Sequence, residues 1–176
     1  MIRVGSIVRE KRMRLETRTL ALALPLFLIG CGTSSTTQPP IVGAWRSSIQ
    51  FQSGAFASVK DLEFMYVFHA DGTMTESSNY DAAPPVPPAY GEWRTINANE
   101  FEAKYEFYST APSPPDAFKT GAGWVPAGRG VLTERIQVSK DGDAFTSTIR
   151  YDAFDKTGKP AEGGGTATGR GSRMGS

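Results

Sequence analysis

The sequence predicts an all-β domain: an eight-stranded antiparallel up-and-down barrel, with a β-sandwich as the alternative packing. Three observations lead there. Residues 41–174 hold no sustained apolar stripe of helical period, because Gly and Pro interrupt the chain too often. Eight segments of strand character follow one another, most of them joined by turn residues. Two of these segments alternate cleanly. In Glu100–Phe107 every odd position is apolar or aromatic and every even one charged. In Val131–Val138, Leu132, Ile136 and Val138 oppose Thr133, Arg135 and Gln137. Successive side chains of a strand face opposite ways, so each segment has one buried face and one wet face.

The first strand spans about Ile41 to Gln52. A hairpin follows, Leu62 to His69 and Thr73 to Tyr80, around Ala70-Asp71-Gly72, where Asp-Gly supplies the conformational freedom of a tight turn. The loop Pro84-Pro85-Val86-Pro87-Pro88 precedes a second hairpin, Tyr90 to Ile96 and Glu100 to Tyr108, turning at Asn97-Ala98-Asn99. A long loop from about Ser109 to Gly128 carries Pro112, Pro114, Pro115 and Pro126. Arg129 to Ser139 and Ala144 to Phe154 pair around Lys140-Asp141-Gly142-Asp143. Thr157-Gly158-Lys159 then turns into a glycine-rich strand from about Glu162 to Met174. Closure removes exposed edges, and sequential hairpins make the up-and-down barrel the simplest closed arrangement.

Ahead of this domain stand Arg14 and Arg18, then an apolar run from Leu20 to Ile29 that ends in Leu28-Ile29-Gly30-Cys31. About 20 apolar residues are needed to span a bilayer as a helix, and this run has the length of a signal-peptide core. The four-residue motif resembles the lipobox of bacterial lipoproteins. That resemblance implies cleavage before Cys31, a signal peptide of residues 1–30, and a diacylglyceryl group on Cys31, usually with a third acyl chain such as palmitate. It also implies membrane attachment through that lipid, since two or more chains anchor firmly. Gly32, in place of the Asp that retains such lipoproteins at the inner membrane, favours an outer-membrane protein facing the periplasm. The basic segment before Met13 is longer than usual, so translation is expected to start at either Met1 or Met13.

Removal of residues 1–30 takes six Lys/Arg and two Asp/Glu from totals of 19 and 18, leaving 13 and 16, a formal charge of about −3. Such a chain has no basic stripe and is not expected to bind nucleic acid. Cys31 is the only cysteine, so an internal disulfide is excluded and a packed core must supply stability. Residues 31–40 read as a polar, flexible tether, and residues 41–176 as the domain.

Within the domain, Gly43-Ala44-Trp45 near the start of the first strand resembles the Gly-x-Trp signature of lipocalins and the wider calycin group. The layout of Asp71-Gly72-Thr73, Gly91-Glu92-Trp93, Asp141-Gly142-Asp143 and the terminal Gly169-Arg170-Gly171-Ser172-Arg173 extends the similarity over residues 41–174. It implies that Trp45 plugs one end of the barrel and that an arginine near the last strand, Arg170 or Arg173, packs across its ring. The lipocalin disulfide and C-terminal helix have no counterpart here. Gly91-Glu92-Trp93-Arg94 also repeats Gly43-Ala44-Trp45-Arg46, as if one strand-start geometry were used twice.

No catalytic constellation emerges. His69, the sole histidine, has no nucleophile motif beside it and reads as a strand-end residue. One histidine and a lipidated cysteine do not make a zinc site. Asp141-Gly142-Asp143 lacks the remaining ligands of a calcium loop and reads as a turn. Glu100, Glu102 and Glu106 read as a solvated sheet face. No metal, cofactor or enzymatic activity is therefore expected; the weakest alternative is isomerase-like chemistry on a calycin-type barrel. What remains is aromatic: Phe64, Tyr66 and Phe68 share one strand face, and Phe101, Tyr105 and Phe107 another. These rings either fill the core or line a pocket for a small hydrophobic molecule. The two functional expectations are thus a lipid-anchored carrier of such a molecule and a non-enzymatic interaction module of the cell envelope with a filled barrel.

Overall fold

A computed structural model describes residues 38–80, 87–113 and 123–175. Cys31 and its lipobox, the apolar run before it, residues 84–86 of the first proline loop and Pro114 and Pro115 of the second lie outside the described residues. Eight strands are present: β1 (Gly43–Phe51), β2 (Leu62–Phe68), β3 (Thr73–Ser78), β4 (Ala89–Asn97), β5 (Glu100–Pro112), β6 (Trp124–Val138), β7 (Ala144–Asp155) and β8 (Pro160–Arg173). Each pairs antiparallel with the next. The β1–β8 ladder, Trp45↔Arg173 to Phe51↔Ala167, closes the barrel. No helix occurs among the described residues.

Alternation sets the register. Leu62, Phe64, Tyr66 and Phe68 of β2 point inward and Glu63, Met65 and Val67 outward. A slip by one residue would carry every ring to the solvent side, so the pairing is strongly specified. The hairpin turns repeat one device. Asp71 accepts hydrogen bonds from the Thr73 amide (2.9 Å) and hydroxyl (2.7 Å), and Asp155 does the same with Thr157 (2.8 and 2.7 Å). Gly72 supplies the left-handed residue of the first turn, at φ 89°.

The expected loop between residues 109 and 128 is shorter than predicted. β5 and β6 run past the barrel wall as a two-stranded ribbon, pairing as far as Pro112↔Trp124. Pro126 is accommodated because it sits beside the register shift at Ser109/Thr110, where the regular ladder is already broken. Composition alone hides such strands, since Ser, Thr and Pro are also loop residues.

The turns after β2, β4 and β6 gather at one end of the barrel, which is sealed. Trp45 and Ile41 are fully buried there, and the indole Nε1 donates to the Ile41 carbonyl at 2.7 Å. Arg173 lies over the Trp45 ring, 4.3 Å from its centroid. Its guanidinium donates to the carbonyls of Val42 (2.9 Å), Pro40 (2.5 Å) and Gly142 (3.0 Å). Gly43 has φ 133°, and a Cβ there would stand 2.6 Å from Arg173 Nη1. Arg170, the other expected partner, is exposed on the outer face, between Ser48 of β1 and Thr146 of β7. Phase decides between them: Gly169 and Gly171 face inward, so Arg170 faces out, and Arg173 reaches the tryptophan from the strand's last position.

The second Gly-x-Trp differs from the first. Gly91 lies inside β4 rather than at a strand start. It must be small because a side chain would run into the Lys104 carbonyl of β5, not because of its φ. Trp93 donates from Nε1 to the His69 carbonyl at 2.9 Å and packs on Phe101, the ring centroids 5.7 Å apart.

Candidate functional site

The opposite end of the barrel carries the longer connections, and its interior is built in two tiers. The inner tier is polar at its centre. Tyr66 of β2 and Tyr105 of β5 meet edge to face at 6.1 Å, and both hydroxyls donate to Glu134 Oε2 of β6, at 3.0 and 2.8 Å. Glu134 is fully buried, and its Oε1 has no hydrogen-bond partner. Ser47 of β1 and Ser147 of β7 are buried and likewise leave their hydroxyls unpartnered. Burial holds the Glu134 carboxyl above the usual carboxylate range. The hydroxyls of Ser147, Tyr105 and Tyr66 pull it partly back, the Ser147 hydroxyl acting by proximity and not by a well-formed bond. Burial, then the Glu134 charge, keeps both tyrosine hydroxyls well above their ordinary titration range.

The outer tier is a small cavity of about 30 Å³, walled by aromatic rings of Phe51, Phe107 and Tyr151 and closed by Phe56 and Tyr80 from the connections after β1 and β3. The volume holds one or two waters, far less than the several hundred Å³ of an open ligand site. Phe56 is the hub of the closure: it packs at 5.3 Å on Phe51, 5.4 Å on Tyr80 and 5.3 Å on Tyr151. The segment that carries it is irregular and is tied down at Ala55 N–Gly163 O (3.0 Å) and Gln52 N–Thr166 O (2.8 Å). One carboxyl faces this cavity, that of Glu76 on β3. It is 6% exposed, its Oε1 lacks a partner, and burial followed by repulsion from Glu134 pushes it up to about 8.

Four of the six rings expected to form a site belong to these tiers, and two do not. Phe64 and Phe107 line the cavity; Tyr66 and Tyr105 hold Glu134; Phe68 and Phe101 are packed solid toward the sealed end. Most of the lumen is thus filled. The acidic row Glu100, Glu102 and Glu106 lies on the outer sheet face, where Arg135 meets Glu100 (2.7 Å) and Glu102 (3.3 Å), Arg94 meets Glu102 (2.5 Å), and Arg129 meets Glu106 at 3.7 Å. His69 is exposed beside its turn. Among the described residues no cluster of three or more His, Cys, Asp or Glu could hold a metal ion.

Glu76 and Glu134 are the residues that sequence reasoning missed. The signal was phase: Glu134 falls on the same face as Leu132, Ile136 and Val138, and Glu76 on that of Met74. A charged residue in the apolar register of an otherwise clean strand is the mark of a buried acid. No family model matches this chain, and neither does any curated protein.

Proposed function

We propose that this protein is a lipid-anchored envelope protein that binds a small hydrophobic molecule at the loop end of its barrel. The observation that carries this reading is the asymmetry of the interior. One end is sealed by Trp45 and Arg173. The other keeps an aromatic cavity beneath Phe56, lined by Glu76, whose buried Oε1 has no hydrogen-bond partner. A core selected for stability alone would not leave a buried acid unsatisfied, because an orphaned buried polar group costs about 1–3 kcal/mol. Ligand entry requires Phe56 and its segment to swing out, which turns a closed cavity into an open one. The chain enters the domain at the sealed end, through Pro39, Pro40 and Ile41.

The test is saturation binding of the apolar fluorophore N-phenyl-1-naphthylamine. One saturable site is expected, and Ser78→Phe, which fills the cavity from its wall, should abolish it while the circular dichroism spectrum stays native. No saturable binding, or binding indifferent to Ser78→Phe, would rule the reading out.

A second reading has its own observation. Met65 (47% exposed), Val67 (39%), Tyr90 (64%) and Met174 (43%) form an apolar strip on the outer wall, lining one shallow groove. Such a strip suits an interaction module, whose partner would cover it.

A further inference from the structure

The lumen holds two carboxyl groups and no cation. Among the described residues every Lys and Arg, and His69, is exposed except Arg173, which is committed to the sealed end. Around Glu76 the inward titratable groups are Glu134 of β6, Tyr66 of β2, Tyr105 of β5, Tyr151 of β7 and Tyr80 after β3. Apart from Arg173 at the sealed end, the inward positions of β1, β4 and β8 carry no titratable side chain. None of these neighbours can neutralise a carboxylate. The Tyr66 and Tyr105 hydroxyls are both spent on Glu134; Glu76 lines the cavity, and its buried Oε1 has no hydrogen-bond partner.

The walls of the cavity that Glu76 lines have the complementary character. Phe51, Phe56, Tyr80, Phe107 and Tyr151 present aromatic rings on several sides, with Phe107 stacked on Tyr151 at 6.1 Å. A ring face attracts a cation through its quadrupole, and the attraction grows when the site is desolvated; cages of such rings are suited to ammonium groups. An anion would meet two acids and no donor of positive charge. A metal ion would find too few ligands.

From this geometry we infer that the molecule bound in the lumen carries an amine, with its ammonium seated on Glu76 inside the aromatic cage and its apolar portion directed toward Phe56. The inference rests on the carrier reading and narrows its ligand class. Glu134 does not line the cavity, and its repulsion helps to raise the Glu76 carboxyl. Since Glu76 retains its proton up to about pH 8, an incoming ammonium displaces that proton to solvent and the ion pair takes its place. Binding is therefore coupled to proton release.

The experiment compares decylamine, decanol and decanoate as competitors of N-phenyl-1-naphthylamine on the purified full chain, with Glu76→Gln as the variant. Decylamine is expected to bind about tenfold or more tighter than decanol, the size of a desolvated cation–π and charge contribution, with decanoate the weakest. Its affinity should rise by up to about tenfold per pH unit below pH 8 and level off above it. In Glu76→Gln the amine should fall to the level of the alcohol, and alcohol binding should stay within about threefold of native. Equal affinities for decylamine and decanol in the native protein, or an amine preference that survives Glu76→Gln, would overturn the inference while leaving the carrier reading standing. Failure of all three ligands to compete, in a protein that binds the fluorophore at no saturable site, would remove both.

Discussion

Glu76 and Glu134 occupy core positions at which an apolar residue would be more stable, and their cost should be visible in solution. The folded chain keeps the Glu76 proton up to about pH 8, whereas the unfolded chain releases it near the ordinary 4.5. Between those values the folded state binds more protons, so stability falls as pH rises, by at most about 1.4 kcal/mol per pH unit, and levels off above about 8. Glu134, also raised, acts in the same direction. The turn aspartates Asp71 and Asp155 act oppositely. Hydrogen bonds from Thr73 and Thr157 hold their carboxyls below the usual range, so their contribution is lost only on acidification, outside this window. Urea midpoints measured across the pH range should therefore decline from about pH 5 to about pH 8, and Glu76→Gln should flatten that decline and exceed the native protein at the alkaline end. A native profile flat across the window would contradict the burial of Glu76.

Strands and turns were largely legible because their signals are local. Asp-Gly marked two hairpins, and the period-two pattern of Glu100–Phe107 marked which side of β5 is buried. The ribbon extension of β5 and β6 was not legible, since its stability comes from mutual pairing beyond the barrel and not from an apolar face. The candidate site was half legible. Aromatic residues announced an interior, but only assembly of β1, β2, β5 and β7 around one cavity separates the rings that line it from those that fill the core. The sealed end shows the same limit: two arginines three residues apart were equivalent in sequence, and strand phase selects one. Arg173→Met should cost about 2–4 kcal/mol, combining charged hydrogen bonds to carbonyls with the cation–π contact, whereas Arg170→Met should fall within about 0.5 kcal/mol of native. Chemical denaturation of the two variants checks this, and equal losses would mean that the closure over Trp45 contributes nothing specific.

At the scale of the whole molecule, the barrel has one end sealed by Trp45 and Arg173 and one that keeps a small aromatic cavity. The up-and-down order puts the short turns and the entering chain at the first end and the longer connections at the second. The proposed occupant of the lumen is a small apolar molecule that carries an amine. Native mass spectrometry of the protein extracted from its own envelope tests this most directly. One adduct of a nitrogen-containing small molecule per chain is expected, lost in Ser78→Phe; recovery of the chain alone, or of an adduct without nitrogen, would rule out an amine in the lumen.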